Sequence, residues 1–247
     1  MCRRIYFLGE KMKIKNPFKT LSKFELGLWI SSLILITVTF VVGIEFDFLV
    51  LIASLIGATA LIFVAKGDPL GQVLTVVFAL IYSVISYRFR YFGEMITYLG
   101  MTSPMAILAA VEWFKNPFEK GKSEVEIKKL SKKACVILWV LTLIVTVIFH
   151  FILKAFDTPN LFMSTVSITT SFLASALTFL RSPFYALAYA GNDIVLIVLW
   201  ILASIVDPSY IPMVMCFVIF LINDSYGFIN WRRMKKRQNN KRQSKLT

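Results

Sequence analysis

Eight runs of apolar residues, each 18 to 22 residues long, divide this chain: 26–43, 48–65, 70–87, 95–113, 134–152, 163–180, 184–205 and 211–230. At a helical rise of roughly 1.5 Å per residue each run measures about 27 to 33 Å, the thickness of a bilayer's hydrocarbon core. In lipid the backbone must satisfy its own hydrogen bonds, so such runs are helices. The predicted class is an all-α integral membrane protein with eight transmembrane helices. Charged residues make up only 17% of the 247, and they cluster rather than spread, which removes a soluble domain with a polar exterior. The breaks carry turn chemistry: Gly67-Asp68-Pro69, Asp157-Thr158-Pro159, Ser182-Pro183 and Asp207-Pro208.

Charge fixes the orientation. With eight spans and the N-terminus in the cytoplasm, 24 of the 27 Lys and Arg residues fall on the cytoplasmic side, and only Arg88, Arg90 and Lys154 fall opposite. The positive-inside rule predicts this imbalance, with both ends cytoplasmic. It also explains the net charge of +13 without nucleic acid as a partner. The run Arg232-Arg233-Met234-Lys235-Lys236-Arg237 reads as a topology signal and an anchor to anionic headgroups. The first run follows a long basic lead with no small-residue cleavage site, so it reads as a span rather than a secretory signal.

Two stretches share a plan. Leu61–Pro69 and Leu177–Pro183 each place one basic residue and a proline in a short turn between spans, and each unit ends in an aromatic cluster, at Trp113 and Trp231. The domains are therefore read as a basic N-terminus 1–25, an extra helix 26–43, a three-helix repeat 48–113 and a cytoplasmic loop 114–133. A connector helix 134–152, a second repeat 163–230 and a basic tail 231–247 complete the chain. Three spans plus one connector give a 3+1+3 parallel repeat, the arrangement of SWEET-like carriers. Any two helical pairs with short loops also look alike, and the pattern alone leaves that reading open.

Ionisable groups are costly in mid-membrane, and only Asp193 and Asp224 lie deep within the runs. Each follows an asparagine, Asn192 or Asn223, which stands eight residues from Phe184 or Trp231, so both pairs sit about 12 Å into the bilayer. Tyr185, Tyr189, Asn192, Leu196 and Trp200 recur at helical spacing on one face, as do Asn223, Tyr226 and Asn230 on the last span. Two such faces around one cavity suit a polar, ring-bearing, cationic solute. The competing reading is that the Asn-Asp pairs bond helices to one another. Gln72 is either a cavity residue or an ordinary helix start. His150 and the hydroxyl run 164–171 read as packing, and Thr102-Ser103-Pro104 as a kink or hinge. The cysteines Cys2, Cys135 and Cys216 have no metal or disulfide spacing. No phosphate-binding glycine loop is present, and a single histidine gives a membrane enzyme no constellation, so the chain reads as a non-enzyme without cofactors.

On the segments Arg181–Asp193 and Asn223–Trp231, with Arg90–Glu94 and Glu112-Trp113 beside them, the chain resembles the nicotinamide riboside transporters of the PnuC family over roughly residues 48–232. The resemblance implies a carrier that takes up this NAD precursor down its gradient, with trapping by phosphorylation in the cytoplasm, in a trimer in a bacterial cytoplasmic membrane. The family's substrate-contacting pattern Trp-x-x-Trp-x-x-x-Asn aligns on Asn192, with Tyr185 and Ala188 in place of the two tryptophans. Its later Asn-x-x-Tyr pattern is Asn223 and Tyr226. The implied substrate site is Tyr185, Tyr189, Asn192, Asp193, Asn223, Tyr226 and Gln72, with Asp193 either balancing a pyridinium charge or holding Asn192. Relatives implied by the same likeness carry thiamine or other ribosides.

Overall fold

The computed structural model describes residues 16–43, 46–88 and 91–244. Cys2, Arg90, Lys245 and the basic residues before Asn16 lie outside them. All eight runs are helices: α1 (Lys23–Val42), α2 (Phe48–Ala65), α3 (Pro69–Arg88), α4 (Phe92–Lys115), α5 (Lys132–Ala155), α6 (Leu161–Phe179), α7 (Tyr185–Val206) and α8 (Ile211–Gln243). The described residues form no β-strand beyond one bridge between Pro117 and Val125.

Helices α2, α3, α4, α6, α7 and α8 close into a ring, each touching the next and α8 returning to α2. Helix α1 lies outside the ring against α2 and α8, and α5 lies outside it against α6. Both outer helices turn apolar side chains outward, among them Ile34 and Val38 on α1 and Leu143 and Phe151 on α5. Two hydroxyl contacts attach α5 to α6: Thr146 to Thr169 at 2.9 Å and His150 Nδ1 to Thr165 at 3.0 Å. The histidine is thus a packing residue, as its position suggested.

Helix α4 is irregular where Thr102-Ser103-Pro104 predicted a break. A proline lacks the N–H of its turn and crowds the carbonyl four residues back. The helix widens over Tyr98–Thr102 into a π turn, in which Ser103 N–H reaches the Tyr98 carbonyl. Such turns re-aim side chains and recur at functional sites. Here the turn directs Tyr98, Met101 and Thr102 inward.

The α2–α3 and α6–α7 turns have the same bonding. Gly67 (φ +68°) and Arg181 (φ +57°) both adopt the left-handed conformation that ends a helix. Gly67 N–H bonds Val64 and Asp68 N–H bonds Phe63, both at 2.9 Å; Arg181 N–H bonds Thr178 at 3.0 Å and Ser182 N–H bonds Leu177 at 2.9 Å. The Gly67 carbonyl accepts from Val125 N–H, and the Arg181 carbonyl accepts from Lys128 N–H. An arginine in this conformation costs about 1–2 kcal/mol relative to glycine. Its buried guanidinium lies 3.2 Å from Glu112 and 3.6 Å from Glu126.

The last helix does not stop where its apolar run ends. It continues thirteen residues beyond Asn230 to Gln243, through Arg, Lys, Gln and Met residues that favour helix. The basic tail expected from residue 231 is therefore a helical extension as far as Gln243, and the 114–133 loop packs on it. Gln238, 1% exposed, accepts from Ile127 N–H at 2.9 Å and donates to the Val125 carbonyl at 3.0 Å and to Glu124 at 2.8 Å. Arg237 pairs with Glu124, Lys241 with Glu119 and Arg242 with Glu126. Hydrogen bonds from Lys122 and Lys241 hold the Glu119 carboxyl down at about 2. Its contribution to the clamp is thus full above the ordinary value of 4.5 and is lost only as pH falls through about 2.

Gln238→Ala leaves the Ile127 N–H and Val125 carbonyl buried without partners, a cost of about 1–3 kcal/mol each. The expected result is rapid proteolytic cleavage within residues 116–130 at a protease concentration that leaves the parent chain intact. Equal cleavage rates would show that the clamp does not hold the loop.

Candidate functional site

Helix α7 carries the polar stripe that the sequence spacing placed on one face. Tyr185, Asn192, Asp193, Leu196 and Trp200 are all buried, and Tyr189 is half-buried. Two hydroxyls of α6 orient Asn192: its Oδ1 accepts from Thr170 at 2.7 Å and from Ser171 at 2.9 Å. The hydroxyl run, read from sequence as packing, therefore also aims a side chain. With the carbonyl fixed, the Asn192 Nδ2 donors make no hydrogen bond among the described residues.

Beside it, Asp193 meets Asp224 of α8, and both are out of solvent. Asp193 Oδ2 has no hydrogen-bond partner. Ionised carboxylates only accept, so two of them cannot satisfy each other. Tyr189 places its hydroxyl 3.2 Å from Ser175 and within electrostatic reach of both carboxyls.

Toward the end remote from the basic segments the same interior holds a group that sequence reasoning did not collect. Tyr82 of α3, Glu94 and Tyr98 of α4 and Trp200 of α7 are all buried. The Tyr82 and Tyr98 ring centroids are 4.4 Å apart. Tyr82 Oη and Trp200 Nε1 approach without completing a hydrogen bond, and Glu94 Oε2 has no partner. Tyr98 lies within electrostatic reach of Glu94, Asp193 and Tyr189, which joins this group to the Asp193 region. Buried polar groups are nearly always bonded, and each exception costs about 1–3 kcal/mol. A band of them, lined by four aromatic rings and two carboxyls, can receive a flat cationic ring and its hydroxyls. The only sequence signal for Tyr98 was the proline that forces the π turn.

The remaining expected residues do not share this band. Asn223 donates to Ser32 of α1 at 3.0 Å and to the Ile219 carbonyl at 2.8 Å. Tyr226 donates to Glu25 of α1 at 3.0 Å, and its ring packs on Phe24. Both face the outer helix rather than Asn192, so one cavity does not gather the two asparagines in this conformation. Asn223 Oδ1 is nonetheless unpartnered. Gln72 is buried on α3 three residues past Pro69, at the basic end. Tyr185 is at the same end, packed on Trp231 with ring centroids 4.6 Å apart and its hydroxyl without a partner.

Aromatic layers close both ends of the band. At the basic end Trp113, Tyr185 and Trp231 pack in tilted and edge-on contacts, with the two indoles 5.3 Å apart. Trp113 Nε1 donates to the Thr178 carbonyl at 3.0 Å and Trp231 Nε1 to the Val64 carbonyl at 2.9 Å, the matching positions of the two turns. At the other end Trp200 contacts Tyr91 and Tyr210, each with centroids 5.5 Å away. The unpartnered atoms of Tyr82, Glu94, Asp193 and Trp200 between the layers are out of solvent contact.

A family model described as nicotinamide mononucleotide transporter matches residues 47–233. A curated protein of Neisseria mucosa, "Nicotinamide riboside transporter PnuC", is 26% identical over 195 residues, 75% of this chain and 72% of its own length. Its namesake from Haemophilus influenzae is 24% identical over 212 residues, 85% and 91% of the two chains. A solved structure titled "Crystal structure of the Vitamin B3 transporter PnuC" superposes with a TM-score of 0.77 at 23% identity, covering 88% of this chain and 94% of the other, which establishes the shared fold.

Asp193→Asn separates a binding role from helix-joining. An amide donates to Asp224 and removes a buried carboxyl, so thermal unfolding in detergent should rise, by about 1 kcal/mol or more. A lower melting temperature would mark Asp193 as a structural tie.

Proposed function

Because the chain belongs to the nicotinamide mononucleotide transporter family, a family of membrane carriers and not enzymes, we propose that it takes up nicotinamide riboside down its gradient. The observation that carries the site assignment is the band of unpartnered polar atoms between two aromatic layers. Asn192 Nδ2 donates to an oxygen of the ribose or carboxamide. Tyr82, Tyr98, Tyr189 and Trp200 provide ring surface, and Asp193 and Glu94 balance the pyridinium charge. Tyr185 and Gln72 form the floor of the site at the basic end. Asn223 and Tyr226 hold α1 and reach the substrate only if that seam opens.

Alternating access in this reading opens one aromatic layer at a time, and phosphorylation in the cytoplasm keeps the inward gradient. The basic end faces the cytoplasm of a bacterial inner membrane, with both termini there. The matching bonds of the two turns support a parallel repeat, α2–α4 against α6–α8, as does the exchange of indole bonds between them. In this arrangement α5 is the connector and α1 the added helix. Assembly as a homotrimer belongs to the same proposal.

Tyr185 and Ala188 in place of tryptophans remove ring surface near Asn192, which favours a second reading in which thiamine or another riboside is carried. Uptake of radiolabelled nicotinamide riboside and thiamine into proteoliposomes decides between them. Nicotinamide riboside should enter faster, and Asn192→Ala should slow it roughly tenfold to hundredfold, the loss of one buried hydrogen bond. Uptake at the parent rate in that variant would remove the site assignment, and faster thiamine entry would exchange the substrate.

A further inference from the structure

The cations on the α8 extension fall into two sets. Arg237, Lys241 and Arg242 are paired with acids of the 116–130 loop. Arg232, Arg233, Lys235 and Lys236 have no acidic partner among the described residues and line a cleft of about 650 Å³ between α8 and the start of α7. The lower wall of that cleft is apolar. Phe184, 51% exposed, and Phe228 stand with ring centroids 6.4 Å apart, and the Arg232 guanidinium lies 5.5 Å over the Phe228 ring.

Height decides what fits. Arg232 and Lys236 stand two and six residues past Asn230, which ends the apolar run, so they rise about 3 and 9 Å above the hydrocarbon edge. Arg232 thus stands within the phospholipid headgroup layer, roughly 5–8 Å thick, and Lys236 at its outer edge. We infer that this cleft is a binding site for one anionic phospholipid, whose phosphate meets the four unpaired cations while an acyl chain runs down past Phe184 and Phe228. A soluble polyanion would use the cations but has no use for the exposed Phe184 ring and the half-buried Phe228 ring beside it. Pairing the other three cations with the loop keeps them from competing for the same headgroup. The site is separate from the transport band and does not depend on which solute is carried.

Native mass spectrometry of the detergent-purified chain with phosphatidylglycerol and phosphatidylcholine of matched acyl chains tests this. The parent protein should retain the anionic lipid about fivefold or more over the zwitterionic one. The R232Q/R233Q/K235Q/K236Q variant should lose that preference, while K128Q/K129Q/K132Q/K133Q, which removes equal charge elsewhere at the basic end, should keep it. Excess inorganic phosphate should not displace the lipid. No headgroup preference in the parent protein would overturn the inference, a result that requires no variant. Equal loss in the control variant would reduce it to general electrostatics, and displacement by phosphate would replace the lipid with a free anion.

Discussion

Hydrocarbon offers no hydrogen-bonding partner, so each polar group that the helices carry into it must be matched by another group of the same chain. Most are. Hydroxyls such as Ser54, Ser83 and Thr142 return to the carbonyl four residues back in their own helix. Indoles cross between helices to carbonyls, Trp29 finds Thr59, and Asn192 collects two hydroxyls on its oxygen. Against that background the unmatched atoms of Tyr82, Glu94, Asp193 and Trp200 are informative because they lie near one another. A solute that supplies their partners satisfies these atoms, and this is a source of binding free energy that packing alone lacks.

The two ends of the bundle are built differently. At the basic end the cluster of Trp113, Tyr185 and Trp231 coincides with the bonds that join the two turns, and the loop and the α8 extension brace it from outside. At the other end three rings meet without a comparable backbone brace, next to the π turn of α4. In the transport reading, opening toward the basic end must break two indole bonds, while opening the other way separates Trp200 from Tyr91 and Tyr210.

The eight spans were legible because bilayer thickness imposes a length that composition displays directly. The stripe from Tyr185 to Trp200 was legible for a similar reason, since three- and four-residue spacing fixes a common face. For Asn223 the spacing did not give direction. Consecutive helical residues point about 100° apart. Asp224 therefore faces Asp193 while its neighbour Asn223 turns to Ser32 on α1. No spacing rule within one helix states which neighbour will occupy which side. Tyr82, Glu94 and Tyr98 were not read as one group because no spacing within a single helix links them, and only the ring of helices and the π turn gather them. The helical run beyond Asn230 was hidden by charge, because Arg and Lys favour helix as readily as they mark a tail.

A structure of this protein with nicotinamide riboside bound in a lipid nanodisc tests the central claim most directly. The nicotinamide ring should lie among Tyr82, Tyr98, Tyr189 and Trp200, with a ligand oxygen on Asn192 Nδ2 and the positive ring beside Asp193 or Glu94. A ligand seated in the α1–α8 seam at Asn223 and Tyr226, with Asn192 and the unmatched interior atoms unchanged, would contradict it.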